Sequence, residues 1–249
     1  MKRGVFLVVF LLLIPSTFAL ININEFPQDV VNLGDKINVN GYLQADSDIT
    51  GFFKLELNCG TNQVLSVKVI NLLKGQKYEF NEDLPIIGNM LGSCNIVASI
   101  ESNNIVFEQV NSKNFVITKD LQGEFKLEKD KLQLGNFLVL NGTIQKKDGY
   151  PVNGLASLYF KQGDSIYITD VSQVKNGNLN YIKKLKDDVA GTYNLDIYVI
   201  EDHGNEQKFS SVISFLLSNE LDVNVYLNKN EIKPGESILI EGNALDILQ

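Results

Sequence analysis

The sequence predicts an all-β chain of antiparallel sandwiches in tandem, with about seven strands in each repeat. Three observations predict it. Apolar residues alternate with polar ones in short β-branched or aromatic runs, so each run has one face to bury. Gly, Asn and Asp turns separate the runs. One segment also returns three times at a period near one hundred residues.

The recurring segment is Leu33-Gly34-Asp35-Lys36-Ile37-Asn38-Val39-Asn40-Gly41, then Leu134-Gly135 to Asn141-Gly142, then Pro234-Gly235 to Glu241-Gly242. The leading glycines lie 101 and 100 residues apart, and so do the closing ones. Parity agrees with the spacing. Ile37, Val39, Gly41 and Leu43 align with Leu138, Leu140, Gly142 and Ile144, and with Ile238, Ile240, Gly242 and Ala244. Each segment reads as a strand entered through a glycine turn, with one face buried.

Later echoes extend the first two repeats. Gly75 to Phe80 parallels Gly177 to Ile182, and Gly92 to Val97 parallels Gly191 to Asp196. The closing strands are expected at Phe115 to Thr118 and Val212 to Leu216. These markers place a leader at 1–19, repeat one at 20–120, repeat two at 121–220 and the start of a third, incomplete repeat at 221–249. The linkers, Lys119 to Gly123 and Ser218 to Asp222, are short and polar, which favours a semi-rigid rod. About seven strands in about one hundred residues is the size of an Ig-like sandwich, with a barrel as the alternative.

Repeat two carries a family resemblance. Gly191-Thr192-Tyr193-Asn194-Leu195-Asp196-Ile197-Tyr198-Val199 is followed by Asp202-His203-Gly204-Asn205. This resembles the late strand and turn of prokaryotic Ig-like and macroglobulin-like repeats of secreted and cell-surface proteins. Asp148-Gly149-Tyr150-Pro151-Val152 and Pro234-Gly235-Glu236 are similar to their D-G-x-P-V turn and P-G-E lead-in. Repeat one departs, with Leu33-Gly34-Asp35 at the lead-in and Cys94 where the tyrosine would stand. The resemblance implies a fold found in adhesins, surface layers and spacer regions of exported enzymes. It does not imply an activity.

The N-terminus reads as an export signal. Lys2 and Arg3 precede the apolar run Val5 to Ile14, and Thr17-Phe18-Ala19 offers small residues to a signal peptidase. An uncleaved anchor is the alternative, since apolar residues continue to Leu20. Formal net charge is −8, and removal of Lys2 and Arg3 with the leader leaves −10 and no arginine. That balance argues against nucleic acid as a partner, which asks for a basic face and arginine forks.

Cys59 and Cys94 both fall in repeat one, each on the apolar parity of its run. If those runs are the third and sixth strands of an Ig-like sandwich, they are antiparallel neighbours. The cysteines then face each other, and a disulfide is expected. Such a bridge would close a loop worth about 3–4 kcal/mol in the chain-entropy view. Two buried free thiols are the other reading. In repeat two the corresponding positions are Phe160 or Lys161, and Tyr193.

Little else suggests chemistry. His203 is the sole histidine and sits in a turn, with no marked nucleophile to complete a triad. Asp46 with Asp48, and Asp187 with Asp188, read as turn aspartates more readily than as calcium ligands. Asn141-Gly142-Thr143 is a glycosylation sequon on outward parity, although mid-strand. Tyr42, Tyr150, Tyr159 and Tyr198 are expected on outward or turn positions, where tyrosine can meet sugar or protein.

The expectation is therefore an exported structural or adhesive protein that meets a protein or glycan at the cell surface. It would have no cofactor and no catalysis in this segment. It would touch membrane only through its leader or a later anchor. The alternative is a spacer region of a larger exported enzyme or receptor. The third repeat is too short to bury a core, so the sequence is expected to stop inside a domain. Strand exchange with another copy is the less favoured explanation.

Overall fold

A computed structural model describes residues 19–24, 27–88, 90–103, 105–186 and 188–246. The leader read at 1–19 lies outside them apart from Ala19, as does Asp187. The described chain is all β, and it divides into two compact units. The first takes residues 35–117 and what precedes Asn32; the second takes 118 onward together with Asn32–Gly34. Among the described residues no helix is long and apolar enough to cross a membrane.

The first unit runs β1 (Ala19–Ile23), β2 (Val30–Asn32), β3 (Lys36–Ala45), β4 (Ile49–Asn58), β5 (Asn62–Leu72), β6 (Lys77–Pro85), β7 (Gly92–Ser102), β8 (Ile105–Asn111) and β9 (Phe115–Thr118). One sheet has the order β1-β3-β6; the other is β2-β9-β7-β4-β5, with β8 also on β7. This is the two-sheet arrangement of an Ig-like sandwich, its first and last strands each broken in two. Alternation fills the space between the sheets. Phe53, Leu55 and Leu57 of β4 are buried, as are Val39 and Leu43 of β3 and Ile96, Ala98 and Ile100 of β7. The rings of Phe53 and Phe80 meet at 4.7 Å between centroids.

The second unit repeats the plan with β10 (Leu121–Leu127), β11 (Lys131–Gln133), β12 (Phe137–Lys146), β13 (Gly154–Gln162), β14 (Ser165–Lys175), β15 (Asn178–Lys184), β16 (Gly191–Glu201) and β17 (Glu206–Ser218). The end of β14 pairs with the start of β15, so all eight strands join in the order β10-β12-β15-β14-β13-β16-β17-β11. The closing strand is longer than its sequence suggested. β17 stays whole through a bulge where Ser211 has a φ of 49° and donates its backbone N–H to Asp196 Oδ1 at 2.8 Å. The core gathers Leu138, Leu140, Leu158, Phe160, Leu195, Ile197 and Phe215.

The third copy of the recurring segment behaves differently. β18 (Leu221–Leu227) and β19 (Ile240–Asp246) form a separate two-stranded hairpin. Its strand begins at Ile240, and Ile238 and Ile240 are exposed, where parity predicted a buried face. The pattern is intact, but among the described residues no second sheet lies over it.

Candidate functional site

The disulfide follows from strand register. β4 and β7 pair antiparallel, with Asn58 opposite Asn95. One step further brings Cys59 opposite Cys94, and their sulfurs are bonded across a Cα–Cα distance of 4.2 Å. Cys94 is fully buried and Cys59 partly so. The bridge links neighbours in one sheet, unlike the inter-sheet bridge of antibody domains.

The second unit holds the same corner without sulfur. β13 and β16 pair with Lys161 opposite Asn194, so the next pair is Gln162 with Tyr193. The counterpart of Cys59 is thus Gln162, and not Phe160 or Lys161. Tyr193 is buried, stacks on Phe215 with centroids 5.3 Å apart, and donates its hydroxyl to Val189 O at 2.6 Å. Gln162 Nε2 donates to the same carbonyl at 3.2 Å. Burial, with the charge of Asp188 nearby, pushes the Tyr193 phenol above its ordinary pKa.

A buried polar cluster also belongs to the second unit, and sequence reasoning missed it. Lys146, Glu201, Asn205 and Asn32 are all buried. Lys146 Nζ lies 3.8 Å from Glu201 Oε1 and donates to Leu33 O at 3.3 Å. Asn205 grips Leu33 from both sides, accepting from its N–H at 3.2 Å and donating to its carbonyl at 2.8 Å. The same amide donates to Glu201 Oε2 at 2.8 Å. Burial pushes the Glu201 carboxyl up. Hydrogen bonds from His203 and Asn205, with the Lys146 charge, outweigh it and hold the group below its usual value.

His203 is part of this cluster, where the sequence suggested only a turn residue. Its backbone N–H donates to Glu201 Oε2, and Nδ1 lies 2.7 Å from Glu201 Oε1. The ring covers Gly34, whose φ is 82°; a Cβ there would sit 2.3 Å from His203 Cγ. Among the described residues no serine, threonine or cysteine side chain is hydrogen-bonded to the ring. The Glu201 carboxylate accepts the His203 backbone N–H and faces its ring, and so closes the turn.

The remaining sequence candidates are placed as follows. Asn141 is exposed in β12, flanked by Lys126 of β10 and Asn180 of β15. It stands over a shallow groove of about 510 Å³ that also involves Phe125, Thr143 and Asn178. Asp48 accepts the Lys74 backbone N–H at 2.8 Å, which ties the β3–β4 turn to the β5–β6 turn. Among the described residues no three His, Cys, Asp or Glu side chains gather as metal ligands. Tyr42 carries Lys77 Nζ 4.2 Å over its ring. Tyr150 is exposed, and Tyr198 bonds Glu206 through its hydroxyl.

No protein-family model matches the sequence, and no curated protein matches it. Solved structures do. One is a tetra-tandem repeat from the extending region of a large adhesion protein, with 11% identity and a TM-score of 0.37 over 91% of this chain. Another is E. coli alpha-2-macroglobulin in its native conformation, with 14% identity and a TM-score of 0.33 over 91%. The chain spans 62% and 16% of those chains respectively.

Proposed function

We propose that this chain is exported and serves as a structural or adhesive part of a secreted or cell-surface protein, with no catalysis of its own. The observation that carries this reading is the Cys59–Cys94 disulfide inside a tandem sandwich. Such bridges persist in oxidising compartments and are rare in reducing ones. Both sandwiches are filled by side chains, so a partner would meet a sheet face or a turn. The described grooves are open and shallow, the kind that fits a protein or glycan surface. The spacer reading shares every one of these features and differs only in lacking a partner.

Fractionation of the native host, with protease shaving of intact cells, tests the location. Chain found at the surface or in the medium, with the disulfide present by non-reducing mass spectrometry, is the expected result. Cytoplasmic chain with two free thiols would overturn the reading. Immobilised chain screened against host-surface glycans and proteins separates adhesion from spacing.

A further inference from the structure

The second unit keeps water from a lysine, a glutamate and an asparagine at once. Lys146, Glu201 and Asn205 are 5%, 4% and 0% exposed. All three belong to that unit, as do Asn32 and Leu33. Lys146 closes β12, Glu201 closes β16, and Asn205 stands in the turn that leads to β17. A buried ion pair gives little net stability, because desolvation offsets the attraction. The same side chains, in this arrangement, are the parts of an acyl-transfer site.

The asparagine is the acceptor. Its Oδ1 takes two N–H donors, from the Leu33 backbone at 3.2 Å and from Asn32 Nδ2 at 3.1 Å. Two such donors polarise the carbonyl and steady negative charge that develops on its oxygen. Its Nδ2 donates to Glu201 Oε2 and to Leu33 O, both at 2.8 Å. Partners on both sides thus fix which amide atom is oxygen and which is nitrogen. The lysine is the nucleophile. Its Nζ donates to the same Leu33 carbonyl at 3.3 Å, so amine and amide meet on one atom. Nζ also lies 3.8 Å from Glu201 Oε1. One carboxylate therefore faces the attacking nitrogen with one oxygen and the departing nitrogen with the other. His203 Nδ1 lies 2.7 Å from Oε1, and its side chain is open to solvent.

We propose that Lys146 and Asn205 join in an amide bond between their side chains, with Glu201 carrying the proton. Glu201 takes a proton from the Lys146 ammonium. The freed Nζ attacks Asn205 Cγ, and negative charge gathers on Oδ1 between its two donors. Glu201 hands its proton to Nδ2, the Cγ–Nδ2 bond breaks, and ammonia leaves. The second proton shed by Nζ leaves with it, as ammonium. Atoms and charge balance, nothing is oxidised or reduced, and no further reactant is needed. The Glu201 carboxyl is held below its ordinary range, so the first transfer is uphill and the reaction slow. A step taken once per molecule tolerates that, and it is not turnover. The bond ties the end of β12 to the turn after β16, 59 residues on, in the unit without the disulfide. The inference does not depend on where the protein resides.

Intact mass and peptide mapping of the folded full chain test it. The expected mass, with the disulfide intact, is lower by one ammonia. Trypsin should leave Lys146 uncut and yield a branched peptide that joins residues 132–147 to 187–208. Lys146→Arg keeps the positive charge without the nucleophile and should restore the full mass. Glu201→Gln should slow bond formation after refolding by about a hundredfold or more, the usual worth of a positioned proton carrier. The wild-type mass decides the matter whether or not these variants fold. Full mass in the folded wild-type chain, with 132–146 released as a linear peptide, would overturn the proposal and leave the cluster a noncovalent brace. Loss of ammonia without the branched peptide would overturn it too, since Asn141-Gly142 and Asn176-Gly177 can each lose ammonia by closing on their own backbone. So would a branch at Asn32 in place of Asn205.

Discussion

In the first unit Cys59 and Cys94 close the pair β4–β7 covalently; in the second, the matching pair on β13–β16 is Gln162 with Tyr193. The first solution restricts the unfolded chain, because the bond spans a sequence separation of 35 residues. The second acts in the folded state, where Tyr193 stacks on Phe215 and ties down Val189 O. A second contrast lies at the closing strand. The first unit divides it into β8 and β9, with Ser112 Oγ accepting the Ile96 N–H at 2.8 Å between them. The second keeps β17 whole, because Asp196 caps the bulge at Ser211 and pairs with Lys161 at 2.5 Å. One fold thus tolerates covalent or aromatic closure at the same register, as long as the corner is anchored.

That comparison can be broken at several points. Tyr193→Ala should cost about 3–5 kcal/mol, as other buried aromatic truncations do. Hydrogen exchange should show the loss in residues 118–218 and not in the first unit. Breaking the bridge with the paired change Cys59→Ser and Cys94→Ser should cost about 3–4 kcal/mol, seen as faster exchange in residues 36–117. Glu201→Gln removes the charge that faces buried Lys146, and about 3 kcal/mol is expected for breaking a buried pair; urea denaturation checks it. Exchanging the solutions sharpens the comparison most. Gln162→Cys with Tyr193→Cys should form a second disulfide, read as a loss of two hydrogens by mass. Its net effect on stability should lie within about 2 kcal/mol, since the gain from the loop offsets the lost ring.

Acid gives the smallest and most selective effect. Glu201 and Asp196 both have pKa values held below the ordinary carboxylate range. For Asp196, burial pushes up, but Lys161, the Ser211 amide and Lys208 outweigh it. A depressed folded-state value means that the stabilisation is present above the unfolded value, near pH 4 for these acids, and is lost as pH falls through the folded value. The second unit should loosen below about pH 4, and Asp196→Asn should flatten that part of the profile. Exchange measured at a series of pH values is the check.

Much of this was legible in the sequence. Glycine spacing and parity located β3 and β12 and put both cysteines on the inward face, because side-chain direction alternates locally. Pairing register was less legible. Parity says which face a residue takes, not which residue stands opposite, so the partner of Tyr193 was misplaced. The closing strand was expected only at Val212 to Leu216, because the carboxylate that holds the bulge at Ser211 lies on another strand.

By itself, then, the sequence determined the repeat, its strand patterns and the inward positions of each pattern, since these depend on neighbours along the chain. The tertiary structure decided what covers each pattern. It buried the polar side chains of Lys146, Glu201 and Asn205, because segments distant in sequence supply partners to them. Among the described residues Val223, Val225 and Ile240 are exposed, although their pattern matches that of buried residues elsewhere. Burial is a property of two surfaces, and a strand's own sequence describes only one of them.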